Sequence, residues 1–196
     1  MNDDLSLLRR IAEVPHVSSV LRHLVDFDVE DVASVDGSTA RLSSGRSLHL
    51  IACDGTAGRY FLVGTNAPSR PVLYATSEGQ AGIIGLTLTV ALTMLIALPN
   101  WHDVLGFSGG GSLDQMRRAH AYFEVALRQS HPDLDVTQSQ IVDALGLDLP
   151  EDPVLTLWQS VHAAEPPELF IDDEDDDDSP WDPLLGAWTI ERVARR

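Results

Sequence analysis

With 196 residues, 44% of them hydrophobic, the chain suits one domain or one domain with appendages and has the material for a real core. Its formal charge is −17, from 30 acidic and 13 basic residues, all of the latter arginine; this disfavours a nucleic-acid partner, which would need a basic stripe, and favours fast encounter with a basic protein. The single cysteine, Cys53, excludes an internal disulfide, and the acidic start MNDDLSLLRR has no apolar core of a signal peptide, so a reducing, cytoplasmic setting is expected.

Residues 5–14 and 17–25 carry apolar side chains at helical spacing, with Pro15 between them. From residue 29 to 75 the pattern changes to short β-rich runs split by turn signals such as Asp36-Gly37 and Asp54-Gly55-Thr56-Ala57-Gly58. Residues 47–53 and 59–63 flank the second of these turns and read as a hairpin, residues 71–75 as the next strand, and residues 40–42 and 32–35 as further short strands. Consecutive strands with short turns predict an antiparallel meander of about four to five strands rather than βαβ units.

Helices are expected after Ala75. Ser77 with Gln80, and Ser112 with Gln115, have capping-box spacing. The first would open a long helix running to about Leu98 and stopped by Pro99, followed by a short turn around residues 101–105. Residues 113–128 form an amphipathic pattern, and residues 136–145 and 154–162 are further helix candidates. The fold class expected is therefore α+β, a meander packed on a long buried helix with helices at both ends. Residues 1–165 would form the domain, 166–180 an acidic linker holding the seven carboxylates of 172–178, and 181–196 a C-terminal apolar and arginine-bearing segment. On that last segment Trp181, Leu184, Leu185 and Trp188 share one helical face, which would dock on the domain or hold a partner.

Residues 79–101 contain no charge, and the eighteen residues 81–98 reach the length at which a membrane span is considered. Acidic flanks (Glu78 and Asp103), three threonines and the preceding meander favour a buried helix instead. Gly85, Thr89, Thr93 and Ala97 would give it a narrow stripe of small residues.

No catalytic or metal signature stands out. Cys53 and His49 lie four apart on a predicted strand, roughly 13 Å between Cα atoms, on one face but too far apart for a nucleophile–base hydrogen bond. Ser108-Gly109-Gly110-Gly111-Ser112 precedes a helix as a phosphate cradle would, yet no P-loop pattern or lysine accompanies it, and a helix connector is the better reading. His16 and His23 are two helical turns apart with no third ligand at a matching offset. The 172–178 run lacks the alternation of a calcium loop.

One resemblance is specific enough to state. Ile51-Ala52-Cys53-Asp54-Gly55-Thr56-Ala57-Gly58-Arg59-Tyr60-Phe61-Leu62, then Pro71-Val72-Leu73-Tyr74, Ser77-Glu78-Gly79, an apolar run and Leu98-Pro99-Asn100-Trp101 together resemble the SUKH superfamily, across residues 46–106. That group includes immunity proteins of bacterial polymorphic toxin systems and a fungal regulator of cell-wall synthesis. The resemblance implies an α+β fold, no catalysis and no cofactor, and a protein partner, a toxin domain that is bound and blocked; the residue spacings give no metal site either. An acidic chain suits a basic toxin such as a nuclease. Exposed acids at the hairpin and around the helix, Asp54, Glu78 and Asp103, with Trp101 as an aromatic anchor, are the expected contacts. The alternative is a regulatory or scaffold protein that recruits a client through its acidic, Trp-containing C-terminus.

Overall fold

The computed structural model describes residues 3–29, 39–65, 70–163, 169–172 and 180–190. Helices α1 (Asp3–Glu13) and α2 (Pro15–Val25) follow the expected helical periodicity and bury Ile11, Val17, Leu21 and Val25. Pro15 opens α2 at a position where no N–H is needed, and Asp26 closes it in the left-handed conformation with φ 54°. A buried ion pair ties this layer to the rest: Arg70 Nε donates to Asp4 Oδ2 at 2.9 Å, and both residues are about 5–6% exposed.

The strands are β1 (Thr39–Leu42), β2 (Leu48–Cys53), β3 (Arg59–Val63), β4 (Val72–Ala75) and β5 (Gln80–Gly85). The candidate strand at 32–35 lies outside the described residues. β2 to β5 form the expected antiparallel meander, and a two-residue strand near the C-terminus, β7 (Asp182–Pro183), extends it in the order β2-β3-β4-β5-β7. The sheet is covered on both faces. Tyr60, Leu62, Val72, Tyr74 and Ile84 point into the main core beneath the helices. Phe61, Val63, Leu73, Ala75, Ala81 and Ile83 point the other way, against Leu42 of β1 and the half-buried Trp181.

The α+β class holds, but the long helix does not exist. The uncharged stretch divides into strand β5 and a ten-residue helix, α3 (Leu88–Ala97). A strand buried on both faces is apolar at every position, so it carries no alternation to separate it from a buried helix. Ser77 does not cap a helix. The Thr76 hydroxyl accepts the N–H groups of Glu78 and Gln80 at 3.1 Å each and closes a turn into β5. The true cap is Thr87, whose side chain accepts from Val90 N at 3.0 Å. Gly85 therefore belongs to a strand, Thr89 is exposed, and the predicted stripe of small residues falls apart. Gly85 is still needed for close approach, since a Cβ there would sit 2.6 Å from the Ala91 backbone N.

After α3 come α4 (Trp101–Gly106), α5 (Leu113–Ser130), α6 (Leu134–Leu145) and α7 (Pro153–His162). Ser112 caps α5 as expected, accepting from Gln115 N, and Asp152 caps α7 by accepting from Leu155 N at 2.9 Å. Inside the expected acidic linker, β6 (Leu169–Asp172) pairs antiparallel with β1. β7 (Asp182–Pro183) then pairs parallel with Gln80 and Ala81 of β5. The face shared by Trp181, Leu184, Leu185 and Trp188 is not helical: Pro180, Pro183 and Gly186 break the turn, and residues 184–189 run without regular structure as a strap. Among the described residues no helix is long and apolar enough to cross a membrane.

Candidate functional site

Of the four expected contact residues, Asp54 and Trp101 belong to two different places, and Glu78 and Asp103 line neither. The first is the β2–β3 hairpin. Asp54 is 7% exposed and its carboxylate is saturated. Oδ1 accepts from Thr56 N (2.7 Å), Thr56 Oγ1 (2.9 Å) and Gly58 N (2.7 Å), and Oδ2 accepts from the Tyr74 hydroxyl. Burial would raise its pKa, but the hydrogen bonds from Tyr74, Thr56 and Gly58 outweigh that and hold it below the ordinary carboxylate value. Burial, and the same bond to Asp54, push the Tyr74 phenol up. The exposed Asp26 nearby is raised by partial burial and by the Asp54 charge. Asp54 is therefore the organiser of the turn rather than an exposed contact. The Asp-Gly signal that marked the hairpin also required its acid to fold inward.

Trp101 likewise turns inward. It is fully buried, 4.9 Å from the Tyr74 ring centroid and 6.5 Å from that of Tyr60, so it plugs the core rather than standing as an anchor. Its indole Nε1 has no hydrogen-bond partner among the described residues. Glu78 and Asp103 are exposed, and neither carboxylate makes a hydrogen bond or ion pair among the described residues. Partial desolvation raises the Asp103 carboxyl.

The second place is a cleft of about 540 Å³. Thr76 and Gln80, which bracket Glu78, form one side. Trp101, His102 and Leu105 of α4 form another, and residues 182–188 of the strap a third. The His102 ring lies tilted against that of Trp101, with centroids 3.7 Å apart, and makes an edge contact with Tyr74 at 5.0 Å. Desolvation lowers its pKa, partly opposed by the Asp54 charge, although part of the side chain remains exposed, so the imidazole is neutral near pH 7. Trp188 is 55% exposed. A smaller hollow of about 210 Å³ between α2 and α6 holds none of the expected residues.

The glycine run explains why the strap is fixed. Gly109, Gly110 and Gly111 have φ of 61°, 80° and 100°, a left-handed region that other residues enter at a cost. This aims Gly109 N at Trp188 O (2.9 Å) and Gly110 N at Gly186 O (2.8 Å), while Gly111 N bonds Ser108 Oγ (3.2 Å). Gly186 N in turn reaches Leu105 O at 3.0 Å, and Leu184 is buried over β5 beside Gly82. The run does cradle carbonyl and hydroxyl oxygens, but they are the chain's own and not a phosphate's.

The remaining candidates stay apart. A β-bulge between Leu50 and Ala52 shifts the register of β2, so His49 is exposed while Cys53 is buried, and the two no longer share a face. Among the described residues no group of three or more His, Cys, Asp or Glu is placed to hold a metal. Sequence reading missed His102, Asp182 and Gln80 as neighbours of one cleft. Their only common signal is proximity to Trp101 and to the Pro180–Gly186 break. No family model, no curated protein and no solved structure matches the chain.

Proposed function

We propose that this protein is a cytoplasmic, non-enzymatic binding protein of immunity type, SUKH-like, that neutralises a toxin domain with a basic surface by occluding it. The observation that carries the reading is the cleft beside α4. Its lining carries one carboxylate, Asp182, and two exposed acids without partners among the described residues, Glu78 and Asp103, stand on the adjoining segments of a chain of formal charge −17. Such a field speeds encounter with a basic partner and disfavours acidic ones. The SUKH resemblance now leans on the hairpin and the Leu98-Pro99-Asn100-Trp101 closure, because the long helix it included is a strand and a shorter helix.

The test is calorimetry at low salt between the full chain and a basic toxin domain encoded beside it. Tight binding that weakens as salt rises, together with loss of toxin activity in the complex, supports the reading. Absence of binding overturns it.

A second reading, a scaffold that recruits a client through its C-terminal segment, is favoured by the exposure of Trp188. Residues 182–188 belong to the fold, so a deletion would not isolate that role. Capture of a client that is lost on Trp188→Ala, with no toxin binding, would select it.

A further inference from the structure

We infer that Asp54 is a positioning residue for the α4 cleft: through its bond to the Tyr74 hydroxyl it sets how the Trp101 and His102 rings sit in the cleft wall. The inference deepens the binding reading above and rests on it for the use of the cleft. The placement of the rings is a property of the free chain.

Three observations converge. First, the rings form one contact group. Tyr74 meets Trp101 at 4.9 Å and His102 at 5.0 Å between centroids, both edge-on, and those two rings lie 3.7 Å apart. Trp101 and His102 both line the cleft, and His102 is exposed. Second, the group has one polar tether. The Tyr60 hydroxyl and the Trp101 indole N–H have no hydrogen-bond partner among the described residues, whereas the Tyr74 hydroxyl donates to Asp54 Oδ2. Packing alone leaves the ring torsion of an aromatic side chain broad. A hydrogen bond to an ionised carboxylate is roughly twice as strong as a neutral one, and it fixes the direction of the phenol. Third, the tether is itself anchored. Thr56 N, Thr56 Oγ1 and Gly58 N hold Asp54 Oδ1 and leave Oδ2 to Tyr74. A Cβ on Gly58 would fall 2.5 Å from the Tyr74 hydroxyl, so glycine leaves room for the pair. The hairpin thus holds one carboxylate oxygen at a fixed point, from which the Tyr74 ring reaches both rings of the cleft.

The experiment is proton NMR of the free, full-length chain at neutral pH, reading the His102 ring protons. With centroids 3.7 Å apart, these protons lie within the Trp101 ring current and should resonate upfield. Tyr74→Phe keeps the ring and leaves Asp54 its bonds from Thr56 and Gly58, and most of that displacement should be lost. Asp54→Ala should lose it too, and the double variant should go no further than either, since each removes the same bond. Thr56→Ala weakens the same turn but keeps the Tyr74 bond, so the His102 signals should stay in place. The Trp158 indole N–H, bonded to Gly111 O at 2.9 Å, reports that the rest of the fold is intact. Should Asp54→Ala fail to fold, Tyr74→Phe against Thr56→Ala decides alone. His102 signals unmoved in Tyr74→Phe, moved equally by Thr56→Ala, or additive losses in the double variant would each overturn the inference. Because no partner is added, those results leave the immunity reading to its own calorimetric test. A toxin domain that binds nowhere would remove that reading and leave the ring placement standing.

Discussion

The hairpin corner and the α4 cleft are linked by one aromatic group, Tyr74, Trp101 and His102, yet they treat their acids in opposite ways. At the hairpin one carboxylate, Asp54, accepts from four donors and sinks to 7% exposure. At the cleft Asp182 is exposed and accepts from none of the described residues. A carboxylate that is saturated internally has nothing left to offer a partner, whereas an unpaired one keeps its full charge for binding. Hydrogen-bond accounting, more than position on a turn, separates the acid that builds the fold from the acid free to act.

Mutations should expose that contrast, beginning with the region expected to matter least if the C-terminus were an appendage. Ending the chain at Ser179 removes β7, the buried Leu184 and the strap's hydrogen bonds. We expect a loss of about 3–5 kcal/mol in urea denaturation. A loss below about 1 kcal/mol would mean the strap is dispensable. Asp54→Ala leaves the Tyr74 hydroxyl, the buried Gly58 N–H and the part-buried Thr56 N–H without their acceptor and should cost about 3–4 kcal/mol by the same measurement. Gly85→Ala pushes a methyl into the first turn of α3 and should cost about 1–3 kcal/mol. At the small end, Asp182→Asn and Trp188→Ala should change stability by less than about 0.5 kcal/mol, since both side chains are exposed.

The pH dependence sharpens the same comparison. Asp54 has a folded pKa below its ordinary value of 3.8. Its stabilisation is therefore present above that value and is lost as pH falls through the folded pKa. Acid denaturation of the wild type should be steeper below about pH 4 than that of Asp54→Asn, with both followed by circular dichroism. The phenols act at the other end. Tyr60 and Tyr74 are raised above 10.0, so their contribution is intact below 10.0 and is lost as pH rises toward the folded values. Tyr74→Phe should flatten the alkaline limb.

Much of the secondary structure was legible where one side of an element meets water. The spacing of Ile11, Val17, Leu21 and Val25, and the Ser112 cap, placed α1, α2 and α5 to within a few residues. β5 was not legible, because an element covered on both faces shows no periodicity, and Gly82 and Gly85 are read equally well as weak points in a helix. At the candidate site, Glu78 and Asp103 are exposed as expected, but Asp54 and Trp101 are turned inward by partners far along the chain, Tyr74 in both cases.

By itself the sequence determined the charge, the meander with its Asp-Gly hairpin, and the helices whose amphipathic faces announce them, because these are local properties of composition and spacing. Tertiary structure alone decided the split of the uncharged stretch into β5 and α3, the burial of Trp101 against Tyr74, and the docking of residues 182–188 onto the glycine run. Each depends on a contact between segments distant in the chain, where burial on a second face or a hydrogen bond from a remote donor overrides what the neighbouring residues suggest.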